Sequence, residues 1–419
     1  MTATRLAEPV TITLGCRLNH AESAAIAARL AERAGERPLV VVNSCAVTGE
    51  AVRSTRQAIR RARRERPDAR IIVTGCAAEI EPESFAAMAE VDAVVGNGDK
   101  LDPTLYDSTG PAIRRPAHGA APSHGATGRS AHARAMLAVQ TGCDHSCTFC
   151  IIPQGRGPSR SLPAGAVVEE ARALVAAGHP ELVLTGVDLT SWGHDLPGSP
   201  TLGGLVERLL VHVPGLARLR LSSLDGIEID SRLFELITRE ARIAPHVHLS
   251  LQAGDDMILK RMKRRHSRAD AVRLVERLHA ARPDIAVGAD LIAGFPTEDA
   301  AMAARSLALI DDCRIVHAHI FAFSPRAGTP AARMPQLDRR LVAARAAALR
   351  ERAGAARRAW FAALVGTHQS VLVESGGDYG HAANFAPVRL AERHAPRSLI
   401  EVRIAAADKR ALIAEPAHG

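Results

Sequence analysis

The chain has 419 residues and is 47% hydrophobic, which is enough for two or three domains that each bury a core. It contains no run of about 18 apolar residues, so a helical membrane protein is excluded and no membrane association is expected. Residues 1–10 lack the basic and apolar regions of a signal peptide. A cytoplasmic location with reduced thiols is therefore expected, and the 7 cysteines favour metal binding over disulfides.

The net charge of +8 is concentrated in three basic segments, at residues 53–70, 260–268 and 339–358. A solvated helix face is the usual explanation of any one such segment. Three of them together favour a polyanionic partner, most simply RNA. With only 2 Trp, 2 Tyr and 8 Phe, we expect phosphate contacts rather than base stacking to dominate the affinity.

Residues 1–105 alternate strand-like and Ala-rich helical segments, which predicts an α/β domain with an open parallel sheet. Strands are predicted at residues 11–14, 39–42 and 71–73. Asn19 and Glu22 are predicted to cap a helix that runs to about residue 35.

A cysteine follows each of these three strands, at Cys16, Cys45 and Cys76. The carboxyl ends of parallel strands share one edge of a sheet, so the three thiols are expected to converge there as a metal-cluster site. The alternative is that each is a small buried core residue at the end of its strand.

Residues 106–133 are rich in Gly, Pro, Ser and His and lack apolar periodicity, which is typical of an exposed connection. The next domain, residues 134–364, contains six strand-like segments that are each followed by a helical one. This pattern predicts a partial (β/α)6 barrel, whose chemistry gathers at the carboxyl ends of its strands. The strands are predicted at residues 136–140, 182–185, 219–222, 247–251, 285–291 and 315–323.

The segment Thr141-Gly-Cys-Asp-His-Ser-Cys-Thr-Phe-Cys150 follows the first of these strands and carries three cysteines at the spacing Cys-x3-Cys-x2-Cys. Zinc sites and redox-inert clusters normally have four protein ligands, so three thiols leave one corner of a metal cluster open. A zinc site, or three unrelated buried thiols, are the alternatives. Cys313 matches no motif and is predicted to be a core residue.

Cys143, Cys147 and Cys150, with Phe149 before the last of them, resemble the signature of the radical S-adenosylmethionine (SAM) enzymes. The resemblance implies a [4Fe-4S] cluster whose open iron chelates SAM, and reductive cleavage of SAM to a 5′-deoxyadenosyl radical. In the implied barrel, polar or small residues at the strand ends are expected to contact SAM, although each is also a common turn residue. With Phe149, the candidates for cofactor binding are Thr185, Gly186, Ser222 and Gln252.

The segments around Cys16, Cys45 and Cys76 are similar to the amino-terminal domain of the methylthiotransferases, a radical SAM family. The resemblance implies that these three cysteines hold a second [4Fe-4S] cluster, which takes part in sulfur insertion. Residues 365–419 contain three short predicted strands and suggest a small β-barrel. Their length and position resemble the TRAM domain, an RNA-binding appendage of this family.

Within the family, the segments Leu184-Thr-Gly-Val187 and Leu221-Ser-Ser-Leu224 look most like the branch that acts on threonylcarbamoyladenosine in tRNA. This implies addition of a methylthio group to C2 of that nucleoside at position 37, in the anticodon loop. It also implies an electron donor, such as flavodoxin or ferredoxin, and a source of sulfur. No catalytic residue beyond the cluster ligands is predicted.

Three alternatives remain open. The substrate is isopentenyladenosine of tRNA or an aspartate of ribosomal protein S12 in other branches of the family. A protein of another class, a non-catalytic RNA-binding protein stabilised by metal, would also carry cysteines and basic segments.

Overall fold

The computed structural model describes residues 9–31, 38–98, 100–107, 110, 112–114 and 133–416. Most of the predicted connection at residues 106–133 lies outside these ranges. The architecture is α/β, with a parallel sheet, a partial barrel and a closed β-barrel in chain order, as the sequence predicts. Within the described ranges, no helix combines the length and the apolar character that crossing a membrane requires.

The first sheet has five parallel strands in sequential order. Its central strands are continuous apolar runs, as expected where helices cover both faces of a sheet. The three predicted strands are confirmed, and two short ones extend the edge. The strands are β1 (Val10–Thr13), β2 (Leu39–Ser44), β3 (Arg70–Gly75), β4 (Ala93–Val95) and β5 (Ile113–Arg114). The helices are α1 (Arg17–Ala31), α2 (Gly49–Glu65), α3 (Cys76–Ile80) and α4 (Pro82–Ala86), and a 3-10 turn covers Pro103–Tyr106.

The predicted capping of α1 by Asn19 and Glu22 is wrong, because the helix already begins at Arg17. Both side chains are buried on the inner face of α1. The Asn19 amide donates to the carbonyl oxygens of Leu14, at 2.8 Å, and Ser44, at 3.0 Å. Asn19 therefore fastens the ends of two strands instead of capping its own helix.

The central domain has six parallel strand segments, and the third is interrupted at Ser222 so that its halves join different neighbours. The six predicted strands are thus confirmed as a partial barrel. They comprise β6 (Ala135–Ala138), β9 (Glu181–Thr185), β10 (Arg218–Leu221) with β11 (Ser223–Leu224), β12 (His246–Gln252), β13 (Ala286–Ala293) and β14 (Ile315–Ala322). A two-stranded antiparallel ribbon, β7 (Gln140–Thr141) and β8 (Arg160–Ser161), follows the first strand.

Helices cover the outer face of the barrel, where Leu, Val and Ile from alternate strand positions form the largest core. Cys313 is fully buried there, as predicted. The helices are α5 (Ile152–Arg156), α6 (Ala164–Ala176), α7 (Leu202–His212), α8 (Ser231–Arg239), α9 (Asp256–Arg261), α10 (Arg268–Ala281), α11 (Ala300–Asp312) and α12 (Arg339–Leu364). Short 3-10 turns cover Leu189–Ser191, Gly226–Glu228 and Pro330–Arg333.

The carboxyl-terminal domain is a closed five-stranded barrel with its own apolar core. Three strands were predicted, and the barrel needs two more to close. The strands are β15 (His368–Val373), β16 (Tyr379–Ala382), β17 (Pro387–Arg389), β18 (Leu399–Ala407) and β19 (Leu412–Ala414). This barrel contacts the central domain through Arg218, which donates to the carbonyl of Ser370.

Candidate active site

Cys143, Cys147 and Cys150, the first triplet, lie on a loop that leaves the ribbon strand β7. Gly142 begins the loop at a φ of +73°, and a Cβ there would lie 1.8 Å from the carbonyl oxygen of Pro158. Only glycine fits that approach, since any other residue brings strain and overlap. The Thr148 hydroxyl donates to the carbonyl of Arg261 at 2.8 Å, which ties the middle of the loop to α9.

The three thiols of the first triplet line one cavity of about 140 Å³ at the carboxyl ends of the barrel strands. Burial raises the pKa of Cys143 to about 12 and that of Cys150 to about 11. The protein alone therefore keeps these thiols neutral, whereas a bound cation would favour the thiolates. Three free thiols with no disulfide fit a sulfur-ligated metal group, and their role as ligands remains a prediction.

The wall of this cavity is more strongly charged than the sequence indicated. His145 lies 2.9 Å from Asp188 and 3.7 Å from Glu228, and these carboxylates raise its pKa to about 10. Arg264 lies 3.7 Å from the sulfur of Cys147 and donates to Asp225 at 2.8 Å. The other carboxylate oxygen of Asp225 is buried without a hydrogen-bond partner among the described residues. The wall thus carries paired charges, and one carboxylate oxygen beside them is buried without a hydrogen bond to the described part of the chain.

Sequence reasoning missed Asp188 and Asp225, the two carboxylates that line the cavity. Asp188 comes three residues after the end of β9, and Asp225 follows β11 directly. A rule that searches several residues beyond each strand end would have found both. Arg264 was grouped with a surface basic segment, and its place in the cavity corrects that interpretation.

The predicted SAM contacts divide into one that lines the cavity and four that do not. Gln252 lines it and has a φ of +67°, a strained conformation that is often found at functional sites. Ser222 is buried away from the cavity, and Ser223 lines it instead, because successive side chains of a strand point to opposite faces.

The other three candidates lie around the cavity without lining it. Thr185 is the last residue of β9 and Gly186 follows it, and the next two residues line the cavity instead. Phe149 is partly buried and packs against a small apolar cluster of the barrel.

Cys16, Cys45 and Cys76, the second triplet, follow the carboxyl ends of β1, β2 and β3, as predicted. Gly15 has a φ of +102°, and a Cβ there would lie 2.6 Å from the Cβ of Cys45, so the turn before Cys16 passes close to the second cysteine. Cys45 and Cys76 are buried, whereas Cys16 is exposed. Burial raises the pKa of Cys45 to about 11, and the other two thiols contribute in the same direction. The donor set fits a sulfur-ligated cluster.

The second triplet lies near the first at the interface between the sheet domain and the barrel, through contacts of Cys76. Helix α5 follows Cys150 directly, and a Cβ at its Gly155 would lie 3.2 Å from the Cβ of Cys76. The Asn97 amide lies 3.8 Å from the Cys76 sulfur and also donates to the carbonyl of Gly155. Cys76 is close enough to raise the pKa of Cys150 by charge repulsion.

A buried ion-pair network holds this interface together. Arg156, at the end of α5, lies 2.8 Å from Glu22 and donates to the Asn19 side-chain oxygen at 2.6 Å. Lys100 also pairs with Glu22. Although burial opposes ionisation, Arg156 and Lys100 lower the pKa of Glu22 to about 2. The network therefore joins the helix that follows the first triplet to the helix that follows Cys16.

The three basic segments have different surroundings. Helix α2 presents most of its arginines to solvent, and Arg64 is exposed with no ion pair among the described residues. In the second segment, Arg265 pairs with Glu228 and Arg268 pairs with Asp312. The third segment lies on α12, where several arginines are exposed. Several basic side chains of the second segment are nevertheless exposed, so this segment reaches the surface as well as the cavity wall, and its contact with RNA stays a prediction.

Comparisons with known proteins agree with this geometry. Residues 137–310 match the Radical SAM superfamily, and residues 9–96 match the uncharacterized protein family UPF0004. The chain is 45% identical over 387 residues to the threonylcarbamoyladenosine tRNA methylthiotransferase MtaB of Rickettsia prowazekii, covering 90% of each chain. It is 36% identical to the tRNA-2-methylthio-N(6)-dimethylallyladenosine synthase of Cereibacter sphaeroides, over 96% of this chain and 97% of that one.

Among solved structures, the radical SAM methyltransferase TsrM of Kitasatospora setae has a TM-score of 0.53 and 19% identity. The match covers 73% of this chain and 68% of that one, and at this identity it supports the fold alone. The two cysteine triplets, the partial barrel and the relatives that match nearly the whole length lead to one conclusion: the chain belongs to the tRNA methylthiotransferase family of radical SAM enzymes.

Proposed function

We propose that this protein adds a methylthio group to C2 of N(6)-threonylcarbamoyladenosine at position 37 of tRNA. The observation that carries the proposal is that two groups of three free cysteines meet at one interface, where Cys76 lies close to the first group. The relatives named for this nucleoside, including a Bacillus subtilis protein at 36% identity, support the choice of substrate.

The residues that would hold the cofactors are the six cysteines. The first triplet would bind a [4Fe-4S] cluster, and the second triplet would bind another. When bound, the clusters and SAM supply reductive cleavage of SAM, radical abstraction of hydrogen and a site for the sulfur to be inserted. Gln252, Ser223 and Asp225 line the cavity and are our candidates for SAM binding.

The protein itself fixes the relative positions of these groups. Thr148 anchors the middle of the first loop, and Arg264 places a positive charge beside Cys147, where it offsets the negative charge of thiolate ligands. Arg156 and Glu22 fasten the two cysteine-bearing domains to each other. Rigid placement matters because the target carbon has to meet both sites.

The RNA is proposed to contact the exposed arginines of α2 and the carboxyl-terminal barrel, which we assign as a TRAM-like domain. We propose domain limits at residues 1–105, 134–364 and 365–419, with a connection at 106–133. The anticodon loop is single-stranded, so its bases can splay out into a pocket. An electron donor such as flavodoxin or ferredoxin, and a source of sulfur, are the further partners.

Anaerobic reconstitution followed by iron, sulfide and zinc analysis tests the cofactor assignment. We expect about eight irons per chain, and about four in both Cys147→Ala and Cys45→Ala. Cys147→Ala should abolish deoxyadenosine formation, whereas Cys45→Ala should keep it and lose methylthiolation. Cys313→Ala removes a buried thiol outside both triplets and should keep the full iron content. Bound zinc without iron would instead support a metal-stabilised RNA-binding protein.

Nucleoside analysis of tRNA from cells that lack the protein tests the substrate. We expect loss of 2-methylthio-threonylcarbamoyladenosine alone. Loss of the methylthio-isopentenyladenosine product would identify the other tRNA branch of the family. Unchanged tRNA with an unmodified S12 aspartate would assign the protein to the ribosomal branch.

A further inference from the structure

The barrel lumen below the first cavity is lined by polar side chains. On β12, Ser250 and Gln252 line the cavity, and His248 lies one inward-facing position below Ser250. His248 Nε2 and His319 Nδ1 each lie 3.0 Å from the same oxygen of Asp290. The lumen is thus a polar chamber that begins at the first triplet.

Deeper in the lumen, the charges do not balance. Glu181 is buried and lies 2.8 Å from Arg220 and 3.2 Å from Arg218. Arg134 pairs with Glu374 of the carboxyl-terminal barrel. Three guanidinium groups therefore face two carboxylates in this part of the chamber, which leaves an excess of positive charge.

Arg17 adds a further cation and comes from a different domain. It is the first residue of α1, directly after Cys16. Its guanidinium lies 5.3 Å from the centre of the Phe385 ring, and those of Arg220 and Arg134 lie 4.7 and 5.1 Å from the same centre. Unlike the other two, Arg17 has neither a hydrogen bond nor an ion pair with any described residue, although two carboxylates of the chamber attract its charge. A half-buried guanidinium whose N–H groups have no protein acceptor can bind an anion.

We infer that Arg17 binds the carboxylate of the threonylcarbamoyl group and so helps to select the substrate. The inference rests on the proposed function. A guanidinium pairs with a carboxylate through two parallel hydrogen bonds, which fix the orientation of the group as well as its charge. A dimethylallyl group carries no charge and would leave Arg17 unpaired.

The position of Arg17 in the chain agrees with the shape of the nucleoside. In adenine, C2 and the N6 substituent lie on the same Watson–Crick edge, so the substituent enters the protein together with C2. The carbon must approach the second triplet, and Arg17 directly follows Cys16 of that triplet. Arg17, which would bind the threonylcarbamoyl group, therefore lies on the same turn as Cys16, which would lie near C2.

The test compares binding of two anticodon stem-loops, one with threonylcarbamoyladenosine at position 37 and one with unmodified adenosine. For reconstituted wild-type protein, we expect the modified stem-loop to bind about 30- to 100-fold more tightly, as for a buried charge pair. Arg17→Gln should reduce this ratio to near one by weakening binding of the modified stem-loop alone. Arg17→Lys keeps the charge but not the paired hydrogen bonds, and should retain part of the preference.

Arg64→Gln is the matched control, because it removes an equal charge from the exposed face of α2. It should weaken binding of both stem-loops by the same factor and leave their ratio unchanged. If Arg17→Gln behaves in this way, Arg17 contacts RNA phosphates and the inference is overturned. Unchanged binding of both stem-loops in Arg17→Gln would overturn it as well. Iron content and thermal unfolding of each variant establish that it is folded.

The carboxylate of SAM is the other anion near this chamber, so SAM affinity is measured in the same variants. We expect it to be unchanged in Arg17→Gln, and a large loss would assign Arg17 to SAM instead. A wild-type protein that binds both stem-loops equally would contradict the proposed substrate itself. That result is distinct from a wild-type preference that survives the loss of Arg17, which would contradict only the inference.

Discussion

Each triplet brings three thiols together, but the first draws them from one loop and the second from three separate strands. The first lies within residues 143–150, on one loop whose ends are fixed by the ribbon and by α5. The second is assembled from three strand ends at residues 16, 45 and 76, and it exists only when the parallel sheet has formed. A local site depends on the conformation of its loop, whereas an assembled site depends on the stability of a whole domain. The comparison predicts that different substitutions will damage them.

Two glycine substitutions, one near each triplet, should have the largest effects, because each should remove iron from only one of the two sites. Gly142→Ala places a Cβ 1.8 Å from the Pro158 carbonyl, and Gly75→Ala places one 2.4 Å from the Asn43 side chain. Both positions also have positive φ, which alone costs about 1–3 kcal/mol for a residue other than glycine. Each variant should lose about half of the reconstituted iron, the first from the loop site and the second from the sheet site.

Deoxyadenosine formation identifies which half has been lost. Gly142→Ala should abolish it, and Gly75→Ala should keep it. The control is Gly165→Ala in α6, where no atom lies within 4 Å of the added Cβ. Alanine should stabilise this helix by about 0.5–1 kcal/mol. Equal iron loss at both sites in either test variant would show that the two sites depend on each other.

Breaking the ion pair that joins the two sites should have the next largest effect. Arg156→Met leaves Glu22 buried with only Lys100 as its charged partner, at a cost of about 3–5 kcal/mol in the free energy of unfolding. We expect denaturant unfolding to become two separate transitions, with the sheet domain unfolding first. The double variant Arg156→Met/Glu22→Gln should cost less than the sum of the two single changes. If the two changes in the free energy of unfolding simply add, Arg156 and Glu22 are not directly coupled.

A substitution remote from both triplets should have the smallest effect. Arg64→Gln should weaken tRNA binding about 2- to 5-fold and reduce the slope of log affinity against log salt by about 1. Iron content and SAM cleavage should be unchanged. A loss of iron in this variant would mean that α2 supports the sheet site, and not only the RNA.

Features that depend on residues close together in the sequence could be predicted, whereas features that depend on tertiary contacts could not. Cys143, Cys147 and Cys150 could be read directly because their spacing is itself the site. The second triplet could be inferred from the rule that parallel strands end at one edge. Features that depend on which way a side chain turns were missed. Asn19 and Glu22 carry the residue types of a helix cap, but the buried interface with α5 determines their contacts.

The position of Ser222 outside the cavity has the same physical origin. Ser222 and Ser223 are chemically identical, and only the register of an interrupted strand decides which of them faces the cavity. Arg264 likewise sits in a run of basic residues whose composition suggests solvent. Its guanidinium is nevertheless held inside by Asp225, a residue far away in sequence. Composition shows that charge is present, but tertiary contacts decide where it points.

The position of Phe385 gives the carboxyl-terminal barrel a role in building the chamber. Its ring lies among the guanidinium groups at the deep end of the lumen, while His317 contacts the carbonyl of Asn384 beside it. During synthesis, the deep end of the chamber stays open until the β16–β17 hairpin, which carries Phe385, has emerged and β19 has closed the small barrel. The carboxyl-terminal barrel therefore completes a chamber whose other walls come from the two domains that precede it in the chain.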